Sequence, residues 1–335
     1  MFPYLEVSGS YKEVGLAIGE TFRGKIQEVI EDRKHYIRRY QEKLLLIEPY
    51  VRAAQKYFPH LVEEMEGMAD GALVPFRDLF FHNTPEIYDH TMEWDREQAQ
   101  TEDHCTIAVS FGKKEPLIGH NEDWMTESLD ELYILKATIG ETTFLGLNYA
   151  TFLSGCSASI NNWGLVQCIN ELHETPGNGV GKYFISRAIL ECRTLDEAEA
   201  CIRKSKRASG YNHVLFQGSE MRDIEVSGND MDVLIREKQP YAHTNHYLSL
   251  HMQKYERDEA AHHINSYERL KRVMELLHNN MTFADMTALL SDTKNPLYPV
   301  CREHTIASVI IEPNDRQIHV CFGPPNKGTF IRYTL

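Results

Sequence analysis

The sequence predicts an α+β fold in which a helical N-terminal segment precedes a largely antiparallel sheet. The pattern of apolar residues changes near residue 100. Apolar residues recur at helical spacing before that point, whereas short apolar runs separated by turn-like linkers dominate after it. Two helical stretches interrupt the strand-like half. Helices followed by strands, without regular alternation of the two, favour layers of helix packed on sheet over a βαβ arrangement.

The helical part has two predicted units. In residues 11–47 apolar side chains recur at helical spacing: Val14, Ile18, Phe22, Ile26, Val29 and Ile30. Pro49 and Pro59 interrupt the pattern, and a second amphipathic helix is predicted at about residues 60–71. Residues 91–104 are polar, rich in acids and without periodicity, so we expect an exposed loop there.

Strand-like runs follow this loop in pairs. Residues 105–111 and 116–124 are joined by a turn-like Gly-Lys-Lys-Glu linker, which predicts a hairpin. Further pairs are predicted within residues 131–150 and 157–170. The remaining predicted elements are helices at 183–192, 195–204, 266–277 and 283–290, and strands at 213–217, 241–245, 306–313, 317–323 and 328–335.

The composition of the 335 residues excludes several classes of protein. With 42% hydrophobic and 25% charged residues, the chain has the makeup of a globular protein. A net charge of -14 argues against a nucleic-acid binder, which presents excess Lys and Arg to phosphates. The N-terminus does not resemble a signal peptide, and no apolar run approaches the roughly 18 residues that span a bilayer. Seven scattered cysteines without a C-x-x-C pair suit free thiols, so we expect a cytoplasmic protein.

Cys105 is a candidate nucleophile because it opens the first predicted strand directly after the polar loop. A cysteine reacts as thiolate and needs a base or a positive environment. If the peptide bond before Cys105 were broken, the new α-amine would lie within reach of the sulfur. Such an amine titrates near pH 7.7–8.0, close to the optimum for a general base at neutral pH. The alternative is a cysteine that serves only as a small buried apolar side chain.

The second predicted strand ends in a dense polar cluster at residues 119–124. A hairpin would return this end of the strand to the side of Cys105. Alternation along the strand would place Asn121 and Asp123 on one face. Taken alone, the same polar run would also suit the start of a loop.

Several motifs share their order with a known family. The one nearest to Cys105 is Cys105-Thr106 followed by N-x-D-W, with Asp123 eighteen positions after the cysteine. The others are Gly9-Ser10-Tyr11 with Gly15 and Gly19, residues 64–71 with Glu64, Gly67 and Gly71, His243-Thr244-Asn245-His246, Val300-Cys301-Arg302, residues 305–310, and Gly323-Pro324-Pro325. Together they resemble the isopenicillin N acyltransferase and carcinine hydrolase family over nearly the whole chain. The choloylglycine hydrolases resemble the chain less closely.

The resemblance implies an αββα N-terminal-nucleophile sandwich that is completed by self-cleavage before Cys105. Residues 1–104 would form a helical segment and residues 105–335 the catalytic core, within one structural domain. Cys105 would attack the substrate, and its freed amine would act as the base. Asp123 would hold and polarise that amine through a charge-assisted hydrogen bond.

The resemblance also assigns the residues around the nucleophile. Asn245 would donate from its amide to the oxyanion of the tetrahedral intermediate, a contact worth about 3–4 kcal/mol. Arg302 would be the active-site arginine, and Asn121 and Trp124 would shape the pocket. No metal or other cofactor is expected. The implied reaction is cleavage of a C–N amide bond in a small N-acylated substrate, with acyl transfer to an amine as the alternative. The expected partner is this small molecule, and neither nucleic acid nor a membrane is expected to bind. The sequence does not decide whether the protein forms a homo-oligomer.

His104 departs from the family's pattern, which has glycine before the nucleophile. Self-cleavage requires the thiol to attack the carbonyl of His104, which favours a strained backbone that glycine adopts without steric cost. Histidine would therefore slow the cleavage, unless it helps by shuttling a proton. A degenerate relative that folds uncut and only binds ligands is the non-enzymatic alternative.

Two other kinds of site are compatible with the residue types. His243 and His246 would point to opposite faces of a strand, and His262 and His263 lie in a polar stretch, so neither pair favours a metal ion. A papain-like pair could join the cysteine to His213, His243 or His246. Papain-like enzymes usually place their cysteine at the N-terminus of a helix. Residues 105–111, which begin with Cys105, are instead rich in β-branched and apolar side chains, which favours a strand.

Overall fold

The computed structural model describes residues 2–37, 39–87, 105–113, 115–172, 177–256 and 260–335, without the side chains of 260–263. The helices are α1 (Tyr11–Thr21), α2 (Arg23–Tyr36), α3 (Tyr40–Leu44), α4 (Glu48–Tyr57), α5 (Pro59–Ala72), α6 (Phe76–His82), α7 (Lys182–Ile189), α8 (Leu195–Lys204), α9 (Ala260–Leu276) and α10 (Phe283–Leu290). Within these residues, no helix is both long enough and apolar enough to cross a bilayer. The loop predicted at residues 91–104 lies outside the described residues.

The strands are β1 (Tyr4–Ser8), β2 (Thr106–Ser110), β3 (Leu117–Asp123), β4 (Leu132–Ile139), β5 (Thr142–Tyr149), β6 (Ala158–Asn161), β7 (Val166–Asn170), β8 (Asn212–Gln217), β9 (Glu220–Val226), β10 (Met231–Glu237), β11 (Tyr241–His243), β12 (Thr305–Glu312), β13 (Gln317–Phe322) and β14 (Phe330–Thr334). They form an eight-stranded sheet in the order β1-β4-β5-β6-β7-β8-β9-β10 and a six-stranded sheet in the order β11-β2-β3-β12-β13-β14. Among the described strands, only β1 beside β4 is a parallel pair. The prediction of a largely antiparallel sheet is confirmed.

The two faces of β2 show how the layers stack. Ile107 and Val109 join the core that fills the space between the sheets. Ala108 points the other way and joins a second core with Val273 of α9 and Met286 of α10. On the far side, α8 packs on β8 and α1 packs on β4. The order of layers is therefore helix, sheet, sheet, helix, as an αββα sandwich requires.

Helices α1 and α5 pack closely because glycines line their contact. A Cβ atom added to Gly15 or Gly19 would overlap a backbone carbonyl of α5, and one added to Gly67 or Gly71 would overlap a carbonyl of α1. The glycine motifs of the N-terminal segment therefore serve helix packing.

A buried ion pair ties α5 to α7. Nη2 and Nε of Arg187 donate to the two carboxylate oxygens of Glu64 at 2.7 and 3.0 Å, and neither side chain is exposed. The guanidinium also lies over the ring of Phe144, 4.7 Å from its centroid. Breaking a buried pair leaves an uncompensated charge, which costs about 3–5 kcal/mol. The pair therefore fastens the segment before Cys105 to the segment after it.

The structure confirms the three predicted hairpins, β2–β3, β4–β5 and β6–β7, and adds three strands that sequence analysis missed. The missed strands are β1, β9 and β10. In β9 the buried residues include Asp223 and Glu225, so charged side chains conceal the strand's alternation. Patterns of apolar residues cannot detect a strand whose interior face is acidic.

Candidate active site

Cys105 lies immediately before β2, and the hairpin register pairs Thr106 with Asn121. By that register Cys105 lies opposite Glu122, on the face of the hairpin that points between the sheets. Its sulfur donates toward Oε1 of Glu122 at 3.8 Å. The Cys105 carbonyl accepts from Nδ2 of Asn170 at 2.8 Å and from Nη1 of Arg269 at 2.9 Å. The backbone of the candidate nucleophile is thus held from two sides.

Cys105 opens onto a pocket between the sheets. Its lining consists of three carboxylates, a row of aromatic rings and a few small or amide groups: Cys105, Glu122, Asp123, Trp124, Tyr149, Phe152, Cys156, Ile169, Glu171, Tyr183, Tyr211 and Asn245. Among the described lining residues there is no lysine, arginine or histidine.

Sequence analysis missed Glu122, which is 5% exposed at the pocket wall. Its carboxylate accepts from the hydroxyl of Tyr149 at 2.8 Å, from Oγ of Ser157, and lies 2.9 Å from Nε2 of His120. Burial alone would raise the pKa of Glu122, but the bonds and charge of His120 and the two hydroxyls hold that pKa below its ordinary value. Glu122 is therefore a buried, ionised carboxylate beside the sulfur.

Asp123 is fully buried and points to the opposite side of β3 from Glu122. Thr305 donates to its Oδ1 at 2.5 Å, whereas its buried Oδ2 has no hydrogen-bond partner among the described residues. Burial raises the pKa of Asp123, although the nearby charges of Arg269 and Arg302 oppose the rise. A buried carboxylate oxygen without a donor is costly, so this atom is suited to receive one.

Asn245 follows the end of β11 and reaches the same pocket. Its backbone N–H donates to Oγ of Ser266 at 2.7 Å, and its Nδ2 donates to the carbonyl of Glu171 at 3.0 Å. Its Oδ1 accepts from Nη2 of Arg269 at 2.9 Å. These bonds fix the orientation of the side-chain amide of Asn245. One hydrogen of Nδ2 bonds to Glu171, and the second hydrogen can be donated to another acceptor.

Arg269 of α9 is the second residue that sequence analysis missed. It is fully buried and bonds to three parts of the site, namely the Cys105 carbonyl, Oγ1 of Thr106 at 2.7 Å and Oδ1 of Asn245. A lone arginine in an amphipathic helix normally indicates a solvated face, so the sequence contained no signal for it.

The other residues singled out from the sequence differ in their relation to the pocket. Trp124 lines it. Asn121 faces the helix layer instead, where its Nδ2 donates to the carbonyls of Leu290 and Val300 at 2.9 and 3.0 Å. Arg302 is near Asp123 but does not line the pocket, and its buried Nη1 has no partner among the described residues. His104 lies outside the described residues.

The histidines considered for a metal or a papain-like pair lie elsewhere. His243 pairs with Glu225 at 3.3 Å, and His246 lies 2.7 Å from Oγ of Ser266. His213 is buried, and burial lowers its pKa to about 3. His262 and His263 have no described side chains. The histidine near the sulfur is His120, and two groups of described residues could hold a metal ion: Cys105, His120 and Glu122, and Asp223, Glu225 and His243.

Four layers around a pocket, with a cysteine at the start of an inner strand, define the N-terminal-nucleophile hydrolase class of fold. A variant of the conjugated bile acid hydrolase from Clostridium perfringens superposes with a TM-score of 0.50 over 70% of this chain and 92% of that chain, at 7% sequence identity. That likeness concerns the fold alone.

The chain belongs to the acyl-coenzyme A:6-aminopenicillanic acid acyl-transferase family, whose model matches residues 110–327. It is also 24% identical over 349 aligned positions to the β-alanyl-dopamine/carcinine hydrolase of Drosophila melanogaster, covering 92% of this chain and 88% of that protein. The protein is thus an enzyme with the fold of the N-terminal-nucleophile hydrolases, in a family that acts on amide bonds, as the resemblance had implied.

Proposed function

We propose that the protein is an amide hydrolase whose nucleophile, Cys105, is exposed by self-cleavage after His104. One observation carries the proposal. Cys105, Asp123 and Asn245 line one pocket, and the buried Oδ2 of Asp123 has no hydrogen-bond partner among the described residues. The α-ammonium that cleavage would release is the donor that this oxygen lacks.

The electrostatics support an amine base. Burial, followed by the charges of Glu122 and Asp123, raises the pKa of the Cys105 thiol well above its ordinary value. The thiol therefore stays protonated until a base is beside it. The freed amine would take the proton from Sγ as the sulfur attacks the substrate carbonyl. Nδ2 of Asn245 would donate to the oxyanion, and the protonated amine would return its proton to the leaving nitrogen. Water would then release the acyl group from Cys105.

The cut chain would stay assembled. The segment before Cys105 adds β1 to the eight-stranded sheet and contributes Glu64 to the buried pair with Arg187. Glu86 accepts from the backbone N–H of Lys182 at 2.9 Å and from Oγ of Ser209 at 2.8 Å. We therefore expect residues 1–104 and 105–335 to copurify and to separate only in denaturant.

Hydrolysis is favoured over acyl transfer because the Drosophila relative is named a hydrolase of β-alanyl-dopamine and carcinine. The name of the family favours the second candidate, acyl transfer to an amine. A reducing compartment such as the cytoplasm is proposed because all seven cysteines, which lie within the described residues, are free thiols.

The intact mass of purified protein, followed by a screen of small N-acylated amines, tests the proposal. We expect two fragments that divide at Cys105, and release of free amine without an added acceptor. An uncut, inactive protein would favour a non-catalytic relative. Activity that requires a second amine would favour acyl transfer.

A further inference from the structure

We propose that the outer edge of β10 pairs with the same edge of a second copy of this chain, which makes the protein a symmetric dimer. β10 (Met231–Glu237) is the last strand of the eight-stranded sheet, and among the described residues no strand lies on its outer side. An uncovered edge strand offers its backbone groups to other chains. The direction of these groups, the order of the charges and the apolar side chains nearby all favour a second copy as the partner.

The ladder between β9 and β10 determines which backbone groups of β10 face outward. The N–H of Ser227 donates to the carbonyl of Asp230 at 2.9 Å and closes the turn, so bonds to β9 continue at every second residue from Asp232. Val233 and Ile235 lie between those positions and turn their backbone groups away from β9. In agreement with this, the N–H of Val233 donates to Oδ1 of Asp232 at 2.9 Å.

A second β10 that runs antiparallel can bond to both outward-facing residues. A twofold axis at Leu234 places Val233 of each copy opposite Ile235 of the other, so that the two residues exchange both of their backbone bonds. At present the carbonyl of Ile235 accepts from Nη1 of Arg236 at 2.9 Å, and Val233 donates to Asp232. Both bonds join adjacent residues, and bonds between the copies would replace them and release the two charged side chains.

The charges of β10 are complementary in this register. Asp232 and Arg236 lie two residues on either side of Leu234, so the axis brings Asp232 of each copy opposite Arg236 of the other. Within one strand they are four residues, or about 13 Å, apart and cannot pair. Asp232 accepts from Oγ of Ser249, and Arg236 lies over the ring of Tyr241, but neither forms an ion pair among the described residues. Opposite charges across an antiparallel pair stabilise it.

The other strands at the edges of the two sheets lack this complementarity. β1 contains one charged residue, Glu6, and β14 contains one, Arg332. A strand with a single sign of charge has no opposite charge to offer to its own copy. The residues of β11 are buried. Among the described strands, β10 is therefore the edge suited to a second copy.

Exposed apolar side chains lie beside the same edge. Ile235 is 50% exposed, and Leu250 is 87% exposed, the highest value among the large apolar side chains that the structure describes. Leu250 lines a cleft together with Leu234 and Leu248. Exposed apolar patches are typical of protein interfaces, and removal of this surface from water would favour the dimer. The dimer does not depend on the chemistry at Cys105, since no residue of β10 lines that pocket.

Sedimentation velocity and hydrogen exchange of the purified wild-type protein test the inference. We expect the sedimenting mass to rise from that of one copy to that of two as protein concentration increases. Over the same range, amide exchange should slow in residues 231–237, because the outward N–H groups become bonded across the interface. A mass of one copy at every concentration would overturn the proposal and leave the edge to a strand of a different protein. A dimer in which exchange of β10 is unchanged would also overturn it.

Two charge reversals test the register. Asp232→Arg leaves only bases at the two facing positions, and Arg236→Asp leaves only acids. In each variant the dissociation constant of the dimer should rise by about tenfold or more, because two like pairs replace two opposite pairs. An equimolar mixture of the variants should form a heterodimer about as tightly as the wild type, since each base then faces an acid. If both variants fold and their mixture fails to associate, the register is wrong.

A control and a backbone variant complete the test. Arg332→Asp reverses an exposed charge on β14, an edge strand of the other sheet, and should change the dissociation constant by no more than about twofold. Ile235→Pro removes an outward N–H without removing a bond to β9, so it should prevent dimerisation. A dimer of Ile235→Pro as tight as that of the wild type would overturn the proposal. So would an effect of Arg332→Asp as large as that of Arg236→Asp.

Discussion

Two clusters of acid and imidazole groups lie between the sheets, and they differ in access to solvent. In both clusters the side-chain atoms that could bind a metal lie within 4.8 Å of one another. Their members are Cys105, His120 and Glu122 in the first, and Asp223, Glu225 and His243 in the second. The first cluster opens to the pocket through Cys105 and Glu122, whereas no member of the second lines that pocket.

The second cluster is occupied by structural bonds. Glu225 accepts from the backbone amides of residues 248–249 and from His243, and the hydroxyl of Tyr241 donates to Asp223. These bonds join β9 of the eight-stranded sheet to β11 of the six-stranded sheet. Similar residue types thus lie beside a pocket in the first cluster and attach one sheet to the other in the second. Access, more than composition, separates the two clusters.

Cys105→Ala should have the largest effect, because it removes the attacking group of both maturation and turnover. We expect a folded chain of full length without amidase activity. Intact mass, circular dichroism and amine release check the three parts of this expectation. Normal cleavage of the alanine variant would refute the assignment of Cys105.

Asp123→Asn should lower kcat by about a thousandfold or more, since an amide cannot stabilise the protonated amine as a carboxylate does. The pH–rate profile of the residual activity is the second measurement. In the wild type, activity should rise through the pKa of the Cys105 amine, and in the variant that rise should move to lower pH. An unchanged pH–rate profile would show that Asp123 does not interact with the α-amine of Cys105.

Asn245→Ala should lower kcat by about a hundred- to a thousandfold, with a smaller change in KM, because an oxyanion donor acts mainly in the transition state. Since Asn245 also bonds to Arg269, a stability measurement must accompany the kinetics. A change confined to KM would contradict the oxyanion role.

Asp223→Asn should have the smallest effect on activity, within about twofold, and should instead change how stability depends on pH. Burial raises the pKa of Asp223 from 3.8 to about 6. Burial alone would lower the pKa of His243, but the charges of Asp223 and Glu225 raise it. The folded state therefore binds more protons than the unfolded state, so this cluster loses stability as pH rises from about 4 to about 7.

The asparagine variant lacks the titration of Asp223. The difference in unfolding free energy, wild type minus variant, should therefore fall between pH 4.5 and pH 7.5, by on the order of 1 kcal/mol. Urea unfolding at both pH values measures it. A difference that grows over this interval would contradict the pKa directions, and a large loss of activity would show that the second cluster is coupled to the pocket.

Spacing and alternation predicted several features of the candidate site. The hairpin, its register and the common face of Asn121 and Asp123 follow from a period of two and a short linker, because strand geometry is local. The motif that contains Asn245 identified a third pocket residue. None of these patterns indicates what lies opposite each face, so they did not show that Asn121 meets the helix layer while Glu122 meets the pocket.

The sequence by itself determined the fold class, the order of most strands and the motif residues Cys105, Asp123 and Asn245. It did so because hydrophobic periodicity and turn chemistry act over a few residues. The tertiary structure decided the positions of Glu122 and Arg269 beside Cys105. Arg269 is 164 positions from the Cys105 carbonyl that it contacts. Whether a charge faces solvent or a buried partner depends on which distant elements pack on it, and burial makes the pairing of such a charge energetically decisive.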